Sequence, residues 1–192
     1  MLKIILILVA FTMTDVTKSN DTSENTLNDI VKDWYIVNDT VMGGRSQADL
    51  FWDNKEKTFL FTGRVSLENN GGFASVRGIF PERQFAQTKT ICIEVKGDGQ
   101  EYQLRLRPNR NMDGVAYAQT FATKQDQWQT IKLDINDFKA TWRGRLVPNY
   151  RALKVEEIRQ VTFMIASKKA GPFELHFKQI RPCETSSNKD YI

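Results

Sequence analysis

Histidine is nearly missing from this chain. His176 is the only one among 192 residues. A histidine-built metal centre is therefore excluded, and any Ser-His-Asp triad would have to use that single ring. The alternation in FELHFKQ also sets His176 opposite the apolar side chains, as a solvated strand residue. No Gly-x-Ser-x-Gly elbow is present to hold a nucleophile. Cysteine is almost as scarce. Cys92 and Cys183 are too few for a disulfide scaffold, and neither has the Cys-x-x-Cys partner of a zinc or redox motif. The plainer expectation is two free thiols, the alternative a single bridge. Nor does one sign of charge dominate. The 27 Lys and Arg against 23 Asp and Glu leave +4, and the arginines are scattered, so nucleic acid is not indicated. Two carboxylates for glycoside hydrolysis stay open, because their separation is invisible in sequence. Neither a cofactor nor a metal is indicated.

Long apolar runs are confined to the start, MLKIILILVAFTM. Lys3 followed by Ile4 to Met13 has the length of a signal-peptide core and is short for a bilayer span. Residues 1–19 are thus expected to be an export signal leading to a periplasmic or secreted protein, although no Ala-x-Ala site follows. An uncleaved, membrane-proximal anchor is the rival. The polar residues 20–26 read as a flexible leader, 27–182 as one domain and 183–192 as a tail.

What the chain has is a period of two. Phe59, Phe61, Val65 and Leu67 share one side of KTFLFTGRVSL, with Gly63 among them. TICIEVKG, EYQLRLR, VAYAQTF, WQTIKLDI, RQVTFMIAS and FELHFKQI alternate in the same way. Gly97-Asp98-Gly99, Asp113-Gly114 and Gly171-Pro172 punctuate them. Only LNDIVKDW and KVEEIRQ look helical. Short alternating strands without helices between them predict an all-β, antiparallel β-sandwich with one or two short helices.

Two stretches stand out from this pattern. VNDTVMGGRS and SLENNGGFASVR each join Asn to a Gly-Gly pair and run on to an arginine. Either the glycines make bulges and turns, or they let a ligand or another backbone come close beside Asn and Asp groups. Arg105 and Arg107 lie on the polar side of their strand, and WRGR sets Arg143 and Arg145 around Gly144. A guanidinium fork suits carboxylates, phosphates and sugar hydroxyls, or an internal ion pair.

The segments WYIVNDTVMGGRS, FTGRVSLENNGGFASVR, VKGDGQEYQLRLR, WRGR and AGPFELHFKQI, in that order, resemble the complex I intermediate-associated protein family from about Trp34 to Ile180. The resemblance implies a galactose-binding-like jelly roll. It also implies an accessory, chaperone-like role, binding assembly intermediates of NADH:ubiquinone oxidoreductase without chemistry of its own. By family analogy the location would be mitochondrial, although the N-terminus lacks the Arg-rich character of a transit peptide. The positions that match the family pattern are Asn38, Asp39, Met42, Gly43, Gly44 and Ser46; Asn69, Asn70, Gly71, Gly72, Phe73, Ser75 and Arg77; and Arg143, Gly144 and Arg145. With Arg105 and Arg107 they form the candidate binding cluster, expected to converge on one rim or face. A protein partner is the first reading of that cluster, a glycan the second, and a glycan hydrolase the third.

Overall fold

The computed structural model describes residues 33–111 and 113–183, together with Asn28. The expected export signal, the leader and the residues after Cys183 lie outside the described residues. So does most of LNDIVKDW, of which Asn28 is helical and the last residue, Trp34, opens a strand.

Among the described residues, twelve strands form two antiparallel sheets. The first sheet has the order β1 (Trp34–Ile36), β4 (Ala74–Ile79), β11 (Gln160–Ile165), β6 (Glu101–Arg107), β7 (Ala116–Ala122), β9 (Lys139–Trp142), β10 (Arg145–Leu146). The second has β2 (Gln47–Asp53), β3 (Thr58–Val65), β12 (Gly171–Pro182), β5 (Thr90–Gly97), β8 (Trp128–Asp134). Apart from the helical Asn28, the helices among the described residues are single 3-10 turns, at Asp39–Met42, Glu68–Asn70, Ile135–Asp137 and Val155–Glu157. KVEEIRQ thus supplies one turn and the first residue of β11, not a longer helix.

Each inner face is built from the alternation in the sequence. Tyr102, Leu104 and Leu106 of β6 and Val161, Phe163 and Ile165 of β11 are buried from one side. Phe59, Phe61, Ile91, Ile93, Phe173, Leu175 and Phe177 are buried from the other. Aromatic rings join the sheets across the middle. Phe163 of the first sheet meets Phe177 of the second at 4.4 Å between centroids, and Trp34 lies 5.2 Å from both Phe59 and Phe177. Such tilted pairs add to the burial of apolar area, which supplies most of the stabilisation. β12 is central and long, and it shifts register between Phe177 and Gln179. That bulge resets the alternation, so Ile180 turns back to the core after Phe173, Leu175 and Phe177. Leu67, grouped by period with Phe59 and Phe61, lies past the end of β3 and is exposed.

The plainer expectation of two free thiols is overturned. Cys92 and Cys183 form a disulfide with Cα atoms 5.0 Å apart, and Cys183 NH donates to Thr90 O at 2.9 Å. Antiparallel pairing of Arg181 with Cys92 brings the end of β12 to β5, and this proximity was invisible across 91 residues of sequence. Closing so long a loop removes freedom from the unfolded chain. The double substitution Cys92→Ala/Cys183→Ala is expected to lower the unfolding free energy by roughly 4–5 kcal/mol. Denaturant titration checks this; an unchanged midpoint would show that the bridge adds nothing.

Candidate functional site

The 37–46 segment carries the chain from β1 of the first sheet to β2 of the second. The 66–73 segment carries it back from β3 to β4. These two crossings are the two Asn/Gly-Gly stretches, and Asp39 joins them. Its carboxylate is 1% exposed and accepts four hydrogen bonds. Ser46 NH donates to Oδ1 at 2.9 Å. Ser46 Oγ, Gly72 NH at 2.7 Å and Phe73 NH at 3.2 Å donate to Oδ2. Ser46 Oγ in turn accepts from Ser66 NH at 3.0 Å. Burial pushes the Asp39 carboxyl up, but the Ser46 hydroxyl and the Gly72, Ser46 and Phe73 amides together hold it below the ordinary carboxylate range.

The glycines are there for approach. A Cβ on Gly44 would sit 2.4 Å from Asp39 Cγ, and one on Gly71 would sit 2.6 Å from Asp39 Oδ2 and 2.9 Å from Ser66 O. Asn69 Nδ2 donates to Gly43 O at 3.1 Å, and Arg45 pairs with Glu68 at 3.1 Å, so the loops are tied at the surface as well. Ser75 and Arg77, at the end of the second Asn/Gly stretch, lie inside the interior strand β4. Ser75 Oγ donates to Val37 O, fixing the exit of β1. The joined loops form a tip from which Val41 and Met42 project, 71% and 65% exposed, with Leu67 also exposed. Asn38 is half-buried at the base, and Asn70 is exposed.

WRGR does not join this tip. Its place is β9, a two-residue turn and β10, at the opposite edge of the seven-stranded sheet. Thr141 pairs with Ala116, at the far end of β7 from the tip. The hairpin and the Asn/Gly tip thus occupy diagonal corners, and the expected convergence holds only for the two Asn/Gly stretches. Arg143 at φ 47° and Gly144 at φ 76° make the tight turn. Arg143 donates to Asp113 Oδ2 at 3.0 Å and lies 5.0 Å from the centre of the Trp142 ring; Trp142 Nε1 donates to Asp113 Oδ1 at 3.1 Å. The Gly114 amide, Arg143 and Trp142 hold the Asp113 carboxyl down to about 2. Arg145 is exposed. Behind the hairpin, Tyr117, Phe138, Leu146, Val147 and Leu153 border an open cavity of about 520 Å³.

The remaining candidates, Arg77, Arg105 and Arg107, lie on the outer face of the same sheet, between the two corners. Register sets Arg77 opposite Thr162 and Thr162 opposite Arg105; one step along, Gln160 faces Arg107. Gln160, Thr162 and Met164 were not singled out by sequence. The alternation in RQVTFMIAS does set them opposite the apolar residues, but only strand pairing places them beside the arginines. Among the described residues, no group of three or more His, Cys, Asp and Glu is arranged to hold a metal ion.

A family model described as complex I intermediate-associated protein 30 (CIA30) matches residues 22–177. The chain belongs to the CIA30 family. It is 24% identical over 162 residues to the mouse protein named "Complex I intermediate-associated protein 30, mitochondrial", covering 74% of this chain and 49% of the mouse protein. The protein of the same name from Neurospora crassa is 24% identical over 187 residues, covering 76% of this chain and 66% of its own. The chain therefore spans about half to two-thirds of these relatives. Among solved structures, it is similar to a family 11 carbohydrate-binding module of a Clostridium thermocellum cellulosomal cellulase, with TM-score 0.55, 15% identity, and coverage of 80% of this chain and 89% of that one. The same module bound to a β-1,3-1,4-mixed-linked tetrasaccharide matches with TM-score 0.54, 16% identity, and coverage of 80% and 90%. At such identities the likeness is one of fold, a jelly-roll sandwich.

Asp39→Asn would place an amide NH₂ against donors and leave part of the lock unfilled. Asp39→Asn is expected to lower stability by roughly 3–5 kcal/mol at neutral pH, and Gly71→Ala by roughly 1–3 kcal/mol. Because the folded carboxyl sits below its usual value of 3.8, its contribution is full above that pH and is lost as pH falls through the folded value. The gap between wild type and Asp39→Asn should therefore narrow on acidification. Urea unfolding across a pH series measures it; a gap that stays constant or widens would contradict the lock.

Proposed function

We propose that this CIA30-family chain is a non-catalytic, protein-binding module with an assembly-factor role, recognising an intermediate of a complex I-type respiratory enzyme. The observation that carries the reading is the tip. Val41 and Met42 stand out in solvent on a 3-10 turn whose base is fixed by a buried carboxylate. Exposed apolar side chains on a pre-ordered backbone suit a protein contact, because little freedom is lost when the partner docks. Asn69, Asn70 and the Arg45–Glu68 pair supply a polar rim around it. The family match and the names of the mouse and fungal relatives support the kind of partner. In this reading Arg143 and Arg145 at the distant hairpin form a second contact rather than part of the first.

For location, the mitochondrial relatives support a mitochondrial setting. The Cys92–Cys183 bridge favours an oxidising compartment over a reducing one. Export through the N-terminal run would also meet that condition.

Photo-crosslinking from position 42 and from position 145, in native membrane extract, tests the contact. Position 42 is expected to capture a subunit of a complex I-type enzyme or of its assembly intermediate. With the cross-linker kept at position 42, Val41→Ser/Leu67→Ser should reduce capture of that protein roughly tenfold while leaving the unfolding curve in place. Capture of no such protein from either position, or capture indifferent to the double substitution, would refute the tip.

A further inference from the structure

The outer face of the seven-stranded sheet has a feature that a protein-binding tip does not need. Arg105 and Arg107 are each only 9% exposed, although their side chains leave the sheet on the side away from the core. Gln160 and Thr162 beside them are 0% and 3% exposed. The face is sunken because neighbouring segments close over it. Arg107 Nη1 donates to Gly114 O at 2.7 Å, Gln160 Nε2 donates to Asn111 O at 3.2 Å, and Arg105 Nη2 donates to Thr141 Oγ1 at 2.9 Å.

Among the described residues, no carboxylate is hydrogen-bonded to Arg105 or Arg107, and Asp113 acts on Arg107 only at longer range. The ion pairs among the described residues involve other side chains. The bonds of Arg105 go to a hydroxyl and to the Met164 thioether at 3.0 Å, a weak acceptor; that of Arg107 goes to one carbonyl. Burial pulls the Arg105 guanidinium below its usual range, and the charge of Arg77 adds to this. Burial together with Arg77 and Arg105 pulls Arg107 down to about 10, against the smaller opposing effects of Asp113 and Tyr35. Thr162, set by register between Arg77 and Arg105, has a buried hydroxyl with no hydrogen-bond partner among the described residues. Two partly desolvated forks and an unused hydroxyl on adjacent strands make a donor-rich, cationic floor. A neutral ligand would leave the repulsion in place, whereas an oxyanion removes it and fills the donors.

We propose that Arg105, Arg107 and Thr162 form a binding site for a small oxyanion, a carboxylate or a phosphate, on the outer face of the seven-stranded sheet. Arg77 adds its positive charge. The site is separate from the Val41–Met42 tip, so either can fail alone.

The test is titration with sodium phosphate and with sodium succinate, against sodium chloride at matched ionic strength. Binding is followed by calorimetry and by the side-chain Nε–Hε signals of the arginines. A saturable response to phosphate, to succinate or to both is expected, with shifts at Arg105 and Arg107 that chloride does not produce. The arm that saturates identifies the class. Arg107→Lys keeps the charge without the fork, and Thr162→Val keeps the shape without the hydroxyl. Each should weaken binding about tenfold. These conservative variants carry the test should Arg105→Gln fail to fold. No saturable response in either arm up to tens of millimolar would overturn the proposal. So would binding that both variants retain in full, or signals that move equally with chloride.

Discussion

A carboxylate taken out of water is tolerated only when its lone pairs are filled by well-placed donors. Asp39 meets that condition with a hydroxyl and three backbone amides drawn from two segments that are distant in sequence. Those segments are the two crossings between the sheets at one corner of the sandwich. The carboxylate therefore does for the crossings what the aromatic rings do for the interior: it fixes how one sheet sits on the other. Gly44 and Gly71 follow from it, since any side chain at either position would overlap the carboxylate. The exposed Val41 and Met42 follow too, because they ride on the turn that delivers Asp39 inward. The opening peculiarity of the sequence, two Asn/Gly-Gly stretches in one chain, is the mark of a single buried acceptor shared by both.

The strands that alternate cleanly could be read directly. TICIEVKG and EYQLRLR coincide with β5 and β6, residue for residue. β4 was hidden because ASVRGI puts Ser and Arg on the outer side of an interior strand and only Ala and Val on the inner side. Its polar half looked like loop chemistry. β9 and β10 were hidden because WRGR carries two positive-φ residues in a tight hairpin, and a glycine between arginines reads equally as a site or a turn. The disulfide depended on a pairing of β5 with β12 that no local pattern encodes. The candidate cluster had the same limitation. Its members were legible as residue types, but their division among a tip, a hairpin and a sheet face is a property of strand order.

That division separates the kinds of chemistry. At the hairpin, Arg143 is exposed and paired with Asp113 in a solvent-screened ion pair. On the sheet floor, Arg105 and Arg107 are shielded from water and rest on neutral partners. The same side chain thus closes a turn in one place and lies shielded among neutral hydrogen-bond partners in another. Burial, not the presence of an arginine in a motif, decides which.

The likeness to carbohydrate-binding modules raises the question of whether this sandwich also reads sugars, and fold alone does not answer it. Sugar rings stack on open aromatic faces. Of the exposed aromatic side chains, Phe51, Trp128, Trp142 and Tyr150, the two tryptophans each have a cation over the ring. Lys178 Nζ lies 4.5 Å and Lys96 Nζ 5.9 Å from the centre of the Trp128 ring, while Arg143 lies over Trp142. A stacking sugar would have to displace a cation from each ring and give up its cation–π attraction. The large side chains left bare at the tip are aliphatic and thioether, Val41 and Met42, which suit a protein surface and have no special match to a pyranose. The jelly roll shared with those modules is a common frame. On its surface this chain carries exposed apolar side chains at one corner and shielded arginines on one face.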